Sequence, residues 1–344
     1  MQYDYAVFIG RMQPPHQEHL RQIKRALCLA DKVIICLGSH RAARNIKNPW
    51  TAEERREMVW SSLNDIPDIN KRLLFTEVRD YYYNDTIWFS NLHQNVTNII
   101  NANCDLDNPK VCIVGSKKDE SSWYLDMLPE GWKRELVAPS RHTNSTNIRH
   151  DYFKYGQISP KVTPGVREWL LDWSNSNVYE KLVSEFKFIE GYKEEWKSAP
   201  HPPTFVTTDV VVVKNGHVLV VRRKFSPGKG LIALPGGFVN KNETIERSAF
   251  RELKEETEIK VPKEKLMSYI IDTKVFDHPH RSLRGRTITH AFCVKLPDRG
   301  ELPQVKGGDD AEVAFWMPLM DLGIREEEFY EDHVHIIQHF INKL

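Results

Sequence analysis

The chain has 344 residues, with 48 Lys plus Arg against 47 Asp plus Glu and a formal net charge of +1. That length is generous for one domain and comfortable for two. The charge balance gives no global pull toward nucleic acid or an anionic membrane, so any polyanion must be held by local basic clusters. No run of 18 apolar residues exists, so no membrane span is expected, and the start MQYDYAVFIGRMQPPH reads as a strand and loop rather than a signal peptide. The cysteines, Cys28, Cys36, Cys104, Cys112 and Cys293, are scattered without CxxC spacing and read as reduced thiols of a cytoplasmic protein.

In chain order, the short apolar runs YAVFIG, KVIICLG, RLLFTEV, KVCIVG and RELVAP alternate with amphipathic stretches over 18–30, 52–64 and 85–102. This rhythm predicts βαβ units and a parallel, doubly wound, Rossmann-like sheet. A helical region over 147–192 follows, then KSAPHPPTF (197–205), whose three prolines mark an interdomain joint. Beyond it two β-rich runs turn at Asn215-Gly216, a hairpin signal. One helix over 243–256, more strands and a last amphipathic helix over 327–344 complete a compact α+β domain. The expected organisation is a first domain over 1–180, a linker over 181–203 and a second domain over 204–344.

The stretch GGFVNKNETIERSAFRELKEETEI is dense in carboxylates. On a helix over 244–257, Glu252, Glu255 and Glu256 share one narrow face. Ala249, Phe250, Leu253 and Thr257 occupy the neighbouring face and can pack inward, and Arg251 lies one turn before Glu255. Three acids on one face repel unless a cation sits there, and hard oxygen ligands suit Mg²⁺ or Mn²⁺ bridging phosphates. The spacing is Gly237, five residues, Glu243, seven residues, then Arg251-Glu252-Leu253-x-Glu255-Glu256-x-x-Ile259. This resembles the Nudix box. The resemblance implies a Nudix α/β/α sandwich that hydrolyses nucleoside diphosphates linked to another moiety. It makes Glu252, Glu255 and Glu256 metal ligands beside Gly237, with Glu243 nearby and Arg251 and Glu255 as catalytic groups. The closing Gly of the box, which ends its helix in a left-handed cap, is Glu258 here. The flanking FSPGKGLIALPGGF, HPHRSLRGRTITHAF and GGDDAEVAFWMPL resemble the ADP-ribose pyrophosphatase branch. Arg281, Arg284 and Arg286, with Gly237, are expected to contact ADP-ribose, and a water-activating base is expected among Asp309, Asp310 and Glu312.

Near the start, FIGRMQPPHQEHLRQIKRAL follows the first strand. Gly10-Arg11 is expected to turn the chain sharply. His16 and His19, three apart at a helix start, face one side, and with Arg11 and Lys24 they form an anion site at the β1–α1 turn. This resembles the nucleotidyltransferase superfamily with its His-x-Gly-His signature, the Gly being Glu18 here. NSTNIR matches the superfamily's Ser-Thr-x-x-Arg: Ser145 and Thr146 are expected to cap a helix and donate to phosphate, and Arg149 to neutralise it. GSHRAARNIKNPWTAEER, RDYYYNDTIW and VGSKKDESSWYL are similar to archaeal-type nicotinamide-mononucleotide (NMN) adenylyltransferases.

Together the two halves resemble the bifunctional NMN adenylyltransferase/Nudix hydrolase family of bacteria. The resemblance implies that the NMN 5′-phosphate attacks the α-phosphorus of ATP, releasing pyrophosphate and giving NAD, with Mg²⁺ on the phosphates. His16, His19, Arg11 and Arg149 would bear the triphosphate. Asn48, Trp50, Asp80 and Trp88 would receive NMN, Lys117, Lys118 and Asp119 would contact ATP, and Gly10, Ser39 and Gly115 would line the nucleotide. Two other readings are a Nudix domain that senses NAD metabolites without catalysis, and adenylylation of another phosphate ester such as phosphopantetheine. The expected partners are ATP, NMN, NAD and ADP-ribose, with no nucleic acid, no membrane, and a homo-oligomer allowed but not required.

Overall fold

Strand β1 (Tyr3–Gly10) shows how the first sheet is sandwiched: Ala6 and Phe8 enter one buried cluster, Val7 and Ile9 another. Such period-two burial on both faces is the mark of a parallel sheet covered by helices on each side. The computed structural model describes every residue except 105, 107, 118, 119, 128 and 139–142, and the side chains of 120, 121 and 123. Lys118 and Asp119, expected at ATP, therefore lie outside the described residues.

After β1 come α1 (Gln17–Leu29), β2 (Ala30–His40), α2 (Ala52–Ser61), α3 (Ile69–Arg72), β3 (Leu73–Arg79), α4 (Asp85–Asn103), β4 (Val111–Gly115) and β5 (Lys133–Leu136). The sheet order is β3-β2-β1-β4-β5, all parallel. The order reverses between β1 and β4, so the crevice at their C-terminal ends is where such sheets bind ligands. Helices α5 (Ser145–Tyr155), α6 (Pro164–Trp173) and α7 (Asn177–Glu195) follow. Their inward faces gather Tyr152, Phe153, Trp173, Leu182 and Phe186 around Trp50.

The chain divides into two compact units, Met1–Phe186 and Lys187–Leu344. The division falls within α7. The stretch expected as a linker over 181–203 is thus helical as far as Glu195.

The second unit contains β6 (Thr204–Lys214), β7 (His217–Arg223), β8 (Ile232–Ala233), β9 (Gly236–Phe238), α8 (Ile245–Thr257), α9 (Lys263–Ser268), β10 (Ile270–Phe276), β11 (Arg286–Lys295), β12 (Ala311–Pro318) and α10 (His333–Ile341). Its sheet is mixed, in the order β10-β11-β6-β7-β12, with β8 on β7 and β9 on β6; only β11 and β6 run parallel. Asn215 (φ 48) and Gly216 (φ 71) both take left-handed conformations, which suits the tight β6–β7 hairpin. Helix α8 lays Ala249, Phe250 and Leu253 on Val210, Val212 and Phe292. The last helix begins at His333, later than the 327 expected. Phe329 bridges to Ile232, and the Tyr330 amide donates to the Ile232 carbonyl at 2.8 Å, so β8 claims the backbone a longer helix would need. Among the described residues, no helix is long and apolar enough to cross a membrane.

Candidate active sites

In the first unit, His16 is the N-cap residue of α1, extended at φ −144 and 1% exposed. Its ring stacks on His19 at 3.7 Å between centroids and 17° between planes. The pair therefore stands at the switch point as one rigid imidazole block. The turn before it is made differently from the expectation: Gly10 stays in the strand, and Met12 takes the left-handed conformation (φ 48). The first helical amide is not free for an anion, because Gln17 N–H donates to the Lys161 carbonyl at 2.9 Å. Glu18, where the signature has Gly, is buried. It accepts from Arg21 at 2.7 and 2.9 Å and from Gln22 at 3.0 Å, so its charge is neutralised within the helix.

Arg149 is buried and hydrogen-bonded to the carbonyls of Gln13 (2.5 Å) and Ile46 (3.0 Å), with Thr146 Oγ1 at 3.4 Å. Burial, reinforced by Arg11, pushes its guanidinium down to about 9. Arg55, which sequence reasoning missed, does the same elsewhere, donating to the carbonyls of Arg11 (2.6 Å), Gly38 (2.7 Å) and Thr51 (3.0 Å). Burial takes it down to about 10. The ends of β1 and β2 and the start of α5 are thus sewn together by two cations without carboxylate partners among the described residues. Lys47, also missed, is held down to about 8, by burial first and then by Arg11, while Asp80 pulls the other way. These shifts place Arg11, Lys47, Asp80 and Arg149 in one electrostatic neighbourhood. Arg11 and Lys24 are exposed and Ser39 is buried in a left-handed conformation (φ 52).

Several expected roles change. Asn144, not Ser145 or Thr146, caps α5, accepting from Asn147 N–H at 2.8 Å. Ser145 Oγ donates instead to the Pro14 carbonyl at 3.2 Å. Trp50 is 2% exposed and packs on Trp173 and Tyr152, so its ring is core rather than a nicotinamide platform. Its backbone is clamped by the Gln13 amide through bonds of 2.8 and 3.1 Å. The buried Trp50 Nε1 and Asn48 Oδ1 have no hydrogen-bond partner among the described residues. Trp88, at the start of α4, is half-buried 6.1 Å from Tyr124. Lys117 pairs with Asp126 at 2.8 Å. Gly115 has a packing reason, since a Cβ there would meet Leu125 at 2.8 Å.

In the second unit, Thr244 caps α8, accepting from Arg247 N–H at 3.3 Å, and the helix presents its acids as the spacing required. Arg251 is their brace. It donates to both oxygens of Glu243 (2.6 and 3.0 Å), to Glu252 (2.9 Å) and to Glu255 (2.8 Å). Those bonds, with that from the Asn240 amide, hold the Glu243 carboxyl down to about 2. Glu256 stands apart, 6% exposed, accepting from Gly236 N–H at 3.0 Å. Burial first, with Glu252 and Asp310 adding, pushes it up to about 8 despite that bond and Arg223. Glu252 is also raised, by burial and by Glu255 and Asp309, against Arg251. Gly237 leaves the room: a Cβ there would lie 2.5 Å from the Glu252 carboxylate.

Among the described residues, no three His, Cys, Asp or Glu side chains already converge as a ligand shell. The donor set still fits a divalent cation. Buried, mutually repelling carboxylates with raised pKa values are what an ion would relieve, and all are hard oxygens.

The box's missing glycine has a direct answer. Glu258 itself adopts the left-handed conformation (φ 43) and its N–H caps Lys254 O at 3.0 Å. The loop carrying Asp309 (φ 46) and Asp310 is anchored on the helix end, with Lys306 N–H donating to Thr257 O at 2.9 Å and Gly308 N–H to Glu256 O at 3.1 Å. Glu312 sits exposed in β12.

The three arginines expected at a diphosphate separate. Arg281 is buried in a bidentate pair with Asp332 at 2.8 and 2.9 Å, a structural role. Arg286 is tied to Asp277 through its carbonyl and, at 3.7 Å, its carboxylate. Arg284 lies over the Phe238 ring at 4.9 Å.

A parallel sheet with paired imidazoles at its switch point defines a nucleotidyltransferase, and an arginine-braced acidic helix on a mixed sheet defines a Nudix domain. A cytidylyltransferase-like family model matches residues 7–138 and a NUDIX domain model residues 203–340. Over 185 residues, 54% of this chain and 94% of the relative, the sequence is 35% identical to the nicotinamide/nicotinic acid mononucleotide adenylyltransferase of Acinetobacter baylyi. Over 165 residues, 48% of this chain and 88% of the relative, it is 37% identical to the ADP-ribose pyrophosphatase of Methanocaldococcus jannaschii. A crystal structure from Francisella tularensis of a bifunctional NMN adenylyltransferase/ADP-ribose pyrophosphatase, bound to AMP and a manganese ion, matches with a TM-score of 0.93, 36% identity and 99% coverage of both chains. The chain belongs to the family of bifunctional NMN adenylyltransferase/ADP-ribose pyrophosphatases.

Proposed function

We infer that the chain is a two-site enzyme of NAD metabolism. One site joins NMN and ATP into NAD and pyrophosphate, and the other hydrolyses ADP-ribose to AMP and ribose 5-phosphate. The observation that carries this reading is the coexistence of the stacked His16–His19 pair at the switch point with the Arg251-braced acids of α8.

In the first site the NMN phosphate oxygen attacks the ATP α-phosphorus and the bond to pyrophosphate breaks, so no protein nucleophile is needed. Catalysis is positioning and charge stabilisation. The imidazoles of His16 and His19 face the triphosphate, and Arg11 and Lys47 add positive charge. Arg149 and Arg55 serve by fixing the loops and by their field, since the Nε and Nη1 groups of both donate to carbonyls. The orphaned Asn48 Oδ1 and Trp50 Nε1 suit a polar group of NMN better than a stacked ring does.

In the second site Glu252, Glu255 and Glu256, beside Gly237, would hold Mg²⁺ or Mn²⁺, which when bound shields the diphosphate and lowers the pKa of a water. Arg251 keeps Glu252 and Glu255 oriented, and Asp309 or Asp310 would take the proton of the attacking water. We further place the chain in the cytoplasm, because its five free cysteines suit a reducing compartment.

The test is to assay both reactions on wild type, His19→Ala and Glu256→Gln. His19→Ala should lower NAD formation about 10²-fold and spare hydrolysis, and Glu256→Gln should do the reverse by a similar factor. No AMP from wild type with either ion would refute the hydrolase reading. A fully active His19→Ala enzyme would refute the first site.

A further inference from the structure

We propose that Arg223, at the end of β7, contacts substrate in the hydrolase site and grips the diphosphate of ADP-ribose. The inference rests on the hydrolase reading above.

A doubly charged diphosphate must approach a cluster of acids, so the site needs cations beyond its ions. Of the arginines expected from the sequence, Arg281 is spent on Asp332 and Arg286 on Asp277, while Arg284 lies over the Phe238 ring; Arg251 is spent on Glu243, Glu252 and Glu255. Arg223 is different. Its guanidinium carbon lies over the Tyr330 ring, 4.3 Å from the centroid, and its Nε donates to the Pro227 carbonyl at 2.9 Å. These two constraints fix the plane of the fork, while its Nη groups make no hydrogen bond or ion pair among the described residues. Tyr330 is itself a rigid platform, 5% exposed, with the loop after β7 pressed on it so closely that a Cβ at Gly228 would lie 2.2 Å from the ring.

The fork is also in the right place. Arg223 pairs with Ala311 in the β7–β12 ladder, and the next residue, Lys224, donates its N–H to Asp310 O at 2.9 Å. Arg223 and Glu256 lie within electrostatic reach of each other. A preoriented guanidinium with an open Nη edge, near the acids but bonded to none, is built for two oxygens of a phosphate.

The test compares wild type, Arg223→Met, Arg223→Lys and Arg223→Ala. Methionine keeps the stack on Tyr330 and removes the charge. It should cut kcat/KM for ADP-ribose about 10²-fold while leaving NAD synthesis by the same chain unchanged. Lysine should fall between, and free guanidinium ion should restore part of the Arg223→Ala activity. An Arg223→Met enzyme with unchanged kcat/KM overturns the proposal. So does a loss of melting temperature that accounts for the lost rate, with no rescue by guanidinium. AMP release by wild type separates failure of this proposal from failure of the hydrolase reading itself.

Discussion

Lys47 shows how a single residue reports on the first site. Its folded pKa, about 8, lies below the ordinary 10.5. The folded chain therefore carries the ammonium form at a cost below about pH 8, and that cost fades as pH rises from 8 to 10.5. Through this group the fold gains stability with rising pH in that window. A bound triphosphate favours the charged form, so ATP affinity should fall as pH rises through about 8. Lys47→Met should bind ATP more weakly and lose that pH dependence, which calorimetric titration in buffers across the range will read. At the other site, Gly237→Ala places a methyl 2.5 Å from Glu252 Oε1. The obstructed group is the end of a side chain, so the fold should survive. Displacing that carboxylate should cost about 10-fold or more in ADP-ribose hydrolysis, measured as AMP release, because misplacement of about 1 Å can cost 10²-fold.

At the scale of elements, the C-terminus of α8 carries a removable strain. Glu258 occupies the left-handed conformation that a glycine would adopt without penalty. Glu258→Gly should raise stability by roughly 1 kcal/mol, seen as a higher urea midpoint for the second unit. Local signals of this kind are what the sequence displayed well. The acidic face of α8, the Asn215-Gly216 hairpin and the rhythm of the first five strands all depend on neighbours in the chain. Decisions made at a distance were hidden. The late start of α10 depends on Phe329 finding β8, and Arg281 looked like a phosphate ligand because Asp332, its partner, is 51 residues away. Lys47 and Arg55 gave no signal because their importance comes from burial against residues distant in the chain, Arg11 for both and Gly38 for Arg55. Arg44, Asn45 and Thr51 in the same segment look no different on paper.

For the whole molecule, each unit has its own core, and we expect each to work alone. The useful cut is not the proline stretch. Tyr192 and Trp196 of the second unit pack on Phe205 with centroids 5.6 and 5.3 Å away. A fragment over 187–344 should hydrolyse ADP-ribose like the full chain. One over 201–344 loses both rings and should be less stable by about 2 kcal/mol, since each aromatic pair contributes roughly 0.5–1.5 kcal/mol beyond its buried area. Thermal unfolding of the two fragments checks this, and equal stability would show the aromatic contacts to be idle.

The hydrogen bonds from Lys306 and Gly308 to the end of α8 set a rule for how this chain can change over generations. Surface loops ordinarily accept insertions with little cost. Between Lys306 and Ala311 they should not. An extra residue there would slide Asp309 and Asp310 away from Glu252 and Glu256 while the helix end and β12 stayed fixed. The Leu319–Asp321 turn, where Met320 is 81% exposed, has no such tether to the acids among the described residues and should accept added length more readily. Descendants of this sequence should vary in length at the second place and only in composition at the first.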